Sequence, residues 1–222
     1  MKYLIIVAGG QGLRMGTPLP KQFLEVNGRP IIMHTIDRFV EAVPGVKVVL
    51  VLNPDYLQLW SELCQKHSFQ TSCLVATGGK ERFHSVLNGL DLIEDSSEDA
   101  LVAVHDAVRP LVSVDVIRNA YDKAAECGAV VPALPSIESV RIIDNDGASH
   151  SVDRSNVMMV QTPQVFSLPL LRKAYSQPYK SAFTDDASVV EALGHPITIV
   201  SGNRENIKIT TPQDLLQAKE SL

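Results

Sequence analysis

No stretch of this 222-residue chain approaches the roughly 20 consecutive apolar residues that span a bilayer, so a membrane protein is not expected. The opening MKYLIIVAGG has the look of a secretory signal, but its apolar run is only about five residues and ends in glycines; it reads as a first buried strand. Cysteine is scarce: Cys64, Cys73 and Cys127 are odd in number, far apart and without metal-ligand spacing. That excludes a disulfide framework or a zinc site and fits a reducing cytoplasm. Positive charge is not in excess, the formal net charge being −5, so there is no general basic surface and nucleic acid is excluded as a partner. Anions must then be bound by local clusters of cations. Internal repeats and low-complexity linkers are also lacking. With 45% apolar residues, the chain is expected to form one domain over 1–222 with a substantial core.

Glycine is concentrated where a strand ends. Residues 7–23 read VAGGQGLRMGTPLPKQF. Gly9, Gly10 and Gly12 carry no Cβ, so backbone amides there can form an anion-binding concavity. Arg14 adds a planar fork and Lys21 a compact charge, both suited to phosphate oxygens. Two better-known loops do not fit. Met15 stands where the dinucleotide fingerprint requires its third glycine, and no Gly-Lys-Ser/Thr ending makes a P-loop. The residues point to a nucleoside triphosphate.

Apolar runs alternate with helical patterns. Strands are predicted at Tyr3 to Val7, Val46 to Leu52, Ser72 to Ala76, Ala100 to Val104 and Ala129 to Ala133. Helices are predicted at Ile31 to Ala42, Asp55 to His67, Glu81 to Ile93 and Val114 to Cys127. Strands apolar along their whole length indicate an α/β, Rossmann-like fold whose mostly parallel sheet is covered by helices on both faces. Ligands then sit at the carboxyl ends of the strands, where VAGGQG and His105-Asp106 both fall. Residues 135–160 break the pattern with two short extended segments around Asn145-Asp146-Gly147, a hairpin signal. Such a β-arm either docks on a second subunit or folds back on its own domain; the residues allow both.

Several motifs in order carry a resemblance to a known family: VAGGQGLRMG, LPKQF, GGKERFHSV (78–86), VHDAVRP (104–110), VDR (152–154), QTPQVF (161–166), TDDAS (184–188) and NIKIT (206–210). They resemble the sugar-phosphate nucleotidylyltransferases, specifically the 2-C-methyl-D-erythritol 4-phosphate cytidylyltransferases of non-mevalonate isoprenoid synthesis. The resemblance implies attack of the sugar-phosphate oxygen on the α-phosphorus of CTP, pyrophosphate leaving. A phosphomonoester has a second pKa of about 6 and is its own nucleophile at neutral pH, so positioning and charge neutralisation suffice.

The resemblance also implies roles. Arg14, Lys21 and Asp106 are the expected catalytic residues. CTP would be held by Ala8, Gly9, Gly10, Gly12, Gly79, Lys80 and Ser85, the last three reading the cytosine edge. The sugar phosphate would be held by Asp106, Arg109, Ser139, Arg154, Thr162, Thr184 and Lys208, with Arg154 reaching in from the arm of a second copy in a homodimer. Mg²⁺ would accompany the triphosphate near Asp106, directly or through water. Two departures stand out: Lys80 replaces an acidic residue of a familiar relative, and Glu138-Ser139-Val140-Arg141 replaces an Asp-Thr-x-Lys pattern. Lys208 between Ile207 and Ile209 reads as strand alternation. His105 beside Asp106 suggests a catalytic dyad, but no serine or cysteine nucleophile accompanies it and the chemistry needs none.

Three other functions compete. A ribitol 5-phosphate cytidylyltransferase would share the glycine loop, and TDDAS, with its second aspartate, favours the methylerythritol enzyme. A non-catalytic nucleotide-binding module would have lost Arg14, Lys21 or Asp106, and all three are present. A Rossmann oxidoreductase requires a glycine at 15 and an acid after the second strand, where Met15 and Asn53 stand.

Overall fold

The computed structural model describes residues 1–9 and 19–222. Gly10, Gly12 and Arg14 of the glycine loop lie outside the described residues. Strand β1 (Lys2–Ala8) is followed by a 3-10 turn at Lys21–Phe23, a small hairpin of β2 (Glu25–Val26) and β3 (Arg29–Pro30), α1 (Ile31–Ala42), β4 (Lys47–Leu52) and α2 (Leu57–Lys66). Next come β5 (Cys73–Thr77), α3 (Arg82–Asp91), β6 (Leu101–Asp106), α4 (Val114–Cys127) and β7 (Ala129–Pro135). The hairpin β8 (Val140–Ile143) and β9 (Ser149–Val152) precedes β10 (Met158–Val160), β11 (Gln164–Ser167), α5 (Leu168–Tyr175), α6 (Asp186–Glu191), β12 (Thr198–Ser201) and α7 (Pro212–Ser221).

β1 lies at the centre of an eight-stranded sheet, between β4 and β6 and parallel to both. Its side chains explain why it does not alternate in polarity. Leu4 and Ile6 face a core built with Met33, Ile36 and Phe39 of α1 and Ile117, Ala120 and Tyr121 of α4. Tyr3 and Ile5 face a second core built with Phe83, Val86 and Leu90 of α3 and Leu168, Leu171 and Tyr175 of α5. Both faces are covered, so every position must be apolar. α4 has its expected bounds because Ser113 caps its first turn, accepting from Val116 N at 3.2 Å, and Gly128 leaves it in the left-handed conformation at φ 81°.

The sheet is mixed. β11 runs antiparallel between β6 and β7, and β10 continues along β7 in the same sense. Neither strand was anticipated, because each is too short to show a period. The ladder pairs Val160 with Ala133 but Val165 with Val130, so two extra residues loop out between the two halves. That bulge carries Thr162 toward the carboxyl end of β6. β6 also extends further than expected: His105 and Asp106 are its last residues, paired with Ile6 and Val7, and do not follow it as a loop. Among the described residues the segment 206–210 pairs with no strand, contrary to the alternation of Ile207, Lys208 and Ile209. It is fixed instead by Ile209, which is fully buried against Val26, Ile31 and Val108, with its amide on Val108 O at 2.9 Å.

The hairpin at 140–152 forms as expected and makes a separate two-stranded sheet. Gly147 takes φ 85° in its turn, and all side chains from 141 to 151 are exposed.

Candidate active site

The carboxyl ends of the parallel strands β6, β1, β4 and β5 lie side by side along one end of the sheet. Gly78 N donates to Leu52 O at the end of β4 (2.7 Å), and a Cβ on Gly9 would stand 3.7 Å from Gly78 Cα and 3.5 Å from Ser85 Oγ. The start of the glycine loop and the expected base-reading loop therefore touch. A Cβ on Gly79 would fall 2.4 Å from His84 Cβ, so no other residue fits there without a backbone shift. Lys21 enters from the 3-10 turn that Phe23 buries and that Gln22 ties to the end of β1 through Nε2 to Ala8 O at 2.9 Å. Lys80 is exposed. Ser85 Oγ accepts from Gly79 N (3.0 Å) and donates to Glu81 O (3.2 Å), so hydroxyl and amide hold each other rather than facing outward as expected for a base contact.

Asp106 anchors the other half. Its Oδ2 takes Arg109 Nε at 3.0 Å and Lys208 Nζ at 3.1 Å. Burial alone would push this carboxyl up; Lys208, Arg82 and Arg109 outweigh it and hold it well below the usual carboxylate range. Arg109 also donates from Nη1 to Asn206 O at 2.8 Å. Thr162 Oγ1 accepts from Asp106 N at 3.2 Å and lies 2.9 Å from His105 Nδ1, while His105 Nε2 lies 3.1 Å from Arg109 O. A carbonyl can only accept, so Nε2 carries the imidazole proton and Thr162 donates to Nδ1. Burial holds the His105 pKa down to about 4, which keeps the ring neutral. With both nitrogens occupied, His105 is a strut beneath Asp106 and Thr162, and not a general base.

A second pair stands beside this cluster. Arg82 binds Asp186 through both terminal nitrogens at 2.9 and 2.6 Å, and Tyr175 Oη donates to the same carboxylate at 2.6 Å. Asp186 is fully buried. The motifs GGKER and TDDAS contain these residues, but nothing in the sequence pairs positions 104 apart. Arg82, Arg109 and Lys208 thus stand around the carboxylates of Asp106 and Asp186.

The structure thus brings Asp106, Arg109, Thr162 and Lys208 together. Thr184 is exposed, immediately before Asp185, whose side chain accepts from Gln164 Nε2 at 2.7 Å; that bond ties it to the Thr162 bulge. Ser139 and Arg154 stand apart. Arg154 Nη1 donates to Ile137 O at 2.7 Å at the foot of the arm, and among the described residues neither side chain makes a hydrogen bond or ion pair with the Asp106 cluster.

A family model described as 2-C-methyl-D-erythritol 4-phosphate cytidylyltransferase matches residues 3–222. The chain belongs to that family. Proteins of that name from Bacteroides thetaiotaomicron and Porphyromonas gingivalis are 50% and 51% identical over 212 and 219 residues. These matches cover 96% and 98% of this chain, and 95% and 96% of those proteins. The crystal structure of the Francisella tularensis 2-C-methyl-D-erythritol 4-phosphate cytidylyltransferase superposes with a TM-score of 0.83 at 32% identity, covering 100% of this chain and 99% of that one. The 4-diphosphocytidyl-2C-methyl-D-erythritol synthase of Anaerococcus prevotii gives 0.83 at 30%, covering 99% and 94%. In this member of the family, the glycine-lined strand ends and the Asp106 cluster lie on adjacent strands, β1 and β6.

Proposed function

We propose that this chain joins CTP to 2-C-methyl-D-erythritol 4-phosphate, giving 4-diphosphocytidyl-2-C-methyl-D-erythritol and pyrophosphate for isoprenoid precursor synthesis. The observation that carries the reading at the level of this chain is the Asp106 cluster: two cations share one buried carboxylate at the end of the strand next to the glycine loop. A sugar phosphate brings both what the cations seek and hydroxyls that Asp106 can accept from.

In this reading the phosphate oxygen attacks the α-phosphorus without a base, since its second proton is largely gone at neutral pH. Lys21, with Arg14 of the glycine loop, neutralises the charge that builds on the pentacoordinate phosphorus. Ala8, Gly9, Gly79, Lys80 and Ser85 frame the nucleotide side, where Ser85 acts chiefly by shaping the loop. Arg109, Lys208 and Thr184 receive the sugar phosphate, and Thr162 keeps Asp106 in place. Arg154 and Ser139 complete the pocket from the arm of a second copy. Among the described residues no three His, Cys, Asp or Glu side chains stand together as metal ligands. A lone carboxylate beside a triphosphate suits Mg²⁺, which prefers phosphate oxygens and water to an all-protein cage. Mg²⁺ would offset the triphosphate charge, with Asp106 as its one protein neighbour.

No helix among the described residues is long and apolar enough to cross a membrane. We place the enzyme in the cytoplasm, on the unpaired state of Cys64, Cys73 and Cys127. The test is pyrophosphate release with CTP and Mg²⁺, offering methylerythritol 4-phosphate and ribitol 5-phosphate in parallel. Release with the first alone is expected; release with the second alone would overturn the substrate and keep the chemistry.

A further inference from the structure

Asn206 is fully buried, yet it bonds to two separate segments of the site. Its carbonyl accepts Arg109 Nη1 at 2.8 Å, and its side-chain Nδ2 donates to Thr162 O at 2.8 Å and to Gln161 Oε1 at 3.2 Å. Gln161 is held in turn by Nε2 to Asn203 O at 2.9 Å, in a space that only Gly202 leaves open, since a Cβ there would fall 2.3 Å from Gln161 Oε1. Two residues beyond Asn206, Lys208 reaches Asp106, and one further on Ile209 is clamped to Val108. The segment therefore has one backbone clamp after Lys208 and one side-chain clamp before it.

We infer that Asn206 is a positioning residue for the sugar-phosphate half of the site, its side-chain amide fixing the stations from which Arg109 and Lys208 act. This rests on the reading of Arg109 and Lys208 as sugar-phosphate ligands. Asn206 Oδ1 is buried with no hydrogen-bond partner among the described residues, so the amide works through its donor half alone. Without that half, the carbonyl that orients Arg109 and the backbone leading to Lys208 keep only the Gln161–Asn203 bond, three residues upstream, as a hydrogen-bonded tie to the bulge among the described residues. None of the Asn206 bonds reaches Gly9, Gly79 or Ser85, so the nucleotide side stays as it was.

Two substitutions separate this from a general structural role. Asn206→Ala deletes the amide, and Asn206→Asp keeps its shape while setting an acceptor against Thr162 O and Gln161 Oε1. Both are compared with the wild type by pyrophosphate release, varying each substrate while the other saturates. The expected result is a KM for methylerythritol 4-phosphate raised about tenfold or more, with the CTP KM within about twofold. Gln161→Leu removes one acceptor of the amide together with the bond to Asn203 O and should raise the same KM about threefold; it decides the matter if the Asn206 variants do not fold. Equal increases in both KM values, or a lowered melting temperature with both KM values unchanged, would overturn the inference. A wild type inactive with methylerythritol 4-phosphate is a different failure, and it would overturn the underlying reading as well.

Discussion

Around Asp106, side chains from β6, the 161–164 bulge and the 203–209 segment bond to one another across the chain and are mostly buried. Along the arm the opposite holds. Arg141 bonds to Ser149 and His150 to Asp144, so among the described residues the side chains of the hairpin bond within it, and Ile142 and Ile143 stay 50% and 75% exposed. At its foot, a cleft of about 580 Å³ is lined by Leu134, Ile137, Val140 and Met159. A site half that is wired internally can act within one subunit. A half that leaves β-branched side chains in water is built for another surface, and the arm of a second copy is the surface we propose.

The largest effect belongs to the nucleotide side of the same subunit's site. Lys21→Ala should lower turnover by about 10²- to 10³-fold, because it removes charge stabilisation of the transition state, while the melting temperature stays within about 2 °C. Steady-state kinetics beside a thermal melt checks this. Asp106→Asn should reduce both activity and stability. It leaves Arg109 and Lys208 without their shared counter-charge, at a cost of about 3 kcal/mol in denaturant unfolding. Its pH signature follows from the depressed carboxyl. Stabilisation by Asp106 is complete above the unfolded value of about 3.9 and is lost as pH falls below it, so the variant should lack that part of the acid slope.

His105 acts in a different window. Its folded pKa of about 4 lies below the unfolded value of about 6.5, so the unfolded chain binds the extra proton between them. Stability should therefore rise with pH across that interval by up to about 3 kcal/mol, and His105→Gln should flatten the rise. An unchanged slope in urea titrations would mean the ring is not buried neutral. The smallest effect on the subunit itself belongs to the arm. Ile143→Glu should change unfolding free energy by less than about 0.5 kcal/mol, yet shift sedimentation from dimer to monomer.

How legible each region was in the sequence follows the same division. The βα units at the N-terminal half announce themselves because β1 and β4 are apolar beyond their first lysines and α1 and α4 bury one face at helical spacing. Later elements do not: α6 has six residues, β11 has four, and α7 buries only Ala218, so no period develops. Asp106, Arg109 and Lys208 were legible as members of short motifs. The neutral strut role of His105 was not, since it depends on Thr162, 57 residues away, and the Arg82–Asp186 pair joins two motifs 104 residues apart. Ser85 and Gly79 were legible by type, but their mutual bond, which turns both inward, is a property of the folded loop.

The contrast between a cis half and a trans half is tested most directly by mixing subunits. Lys21→Ala and Arg154→Ala homodimers should each be impaired, the second through a raised KM for the sugar phosphate. Dissociated and reassembled together, the two should recover about a quarter of wild-type activity at low sugar phosphate, because each mixed dimer holds one site with an intact Lys21 and an intact Arg154 from the other subunit. No recovery, with mixed dimers shown to have formed, would place Arg154 in its own subunit's site and contradict the account of the arm.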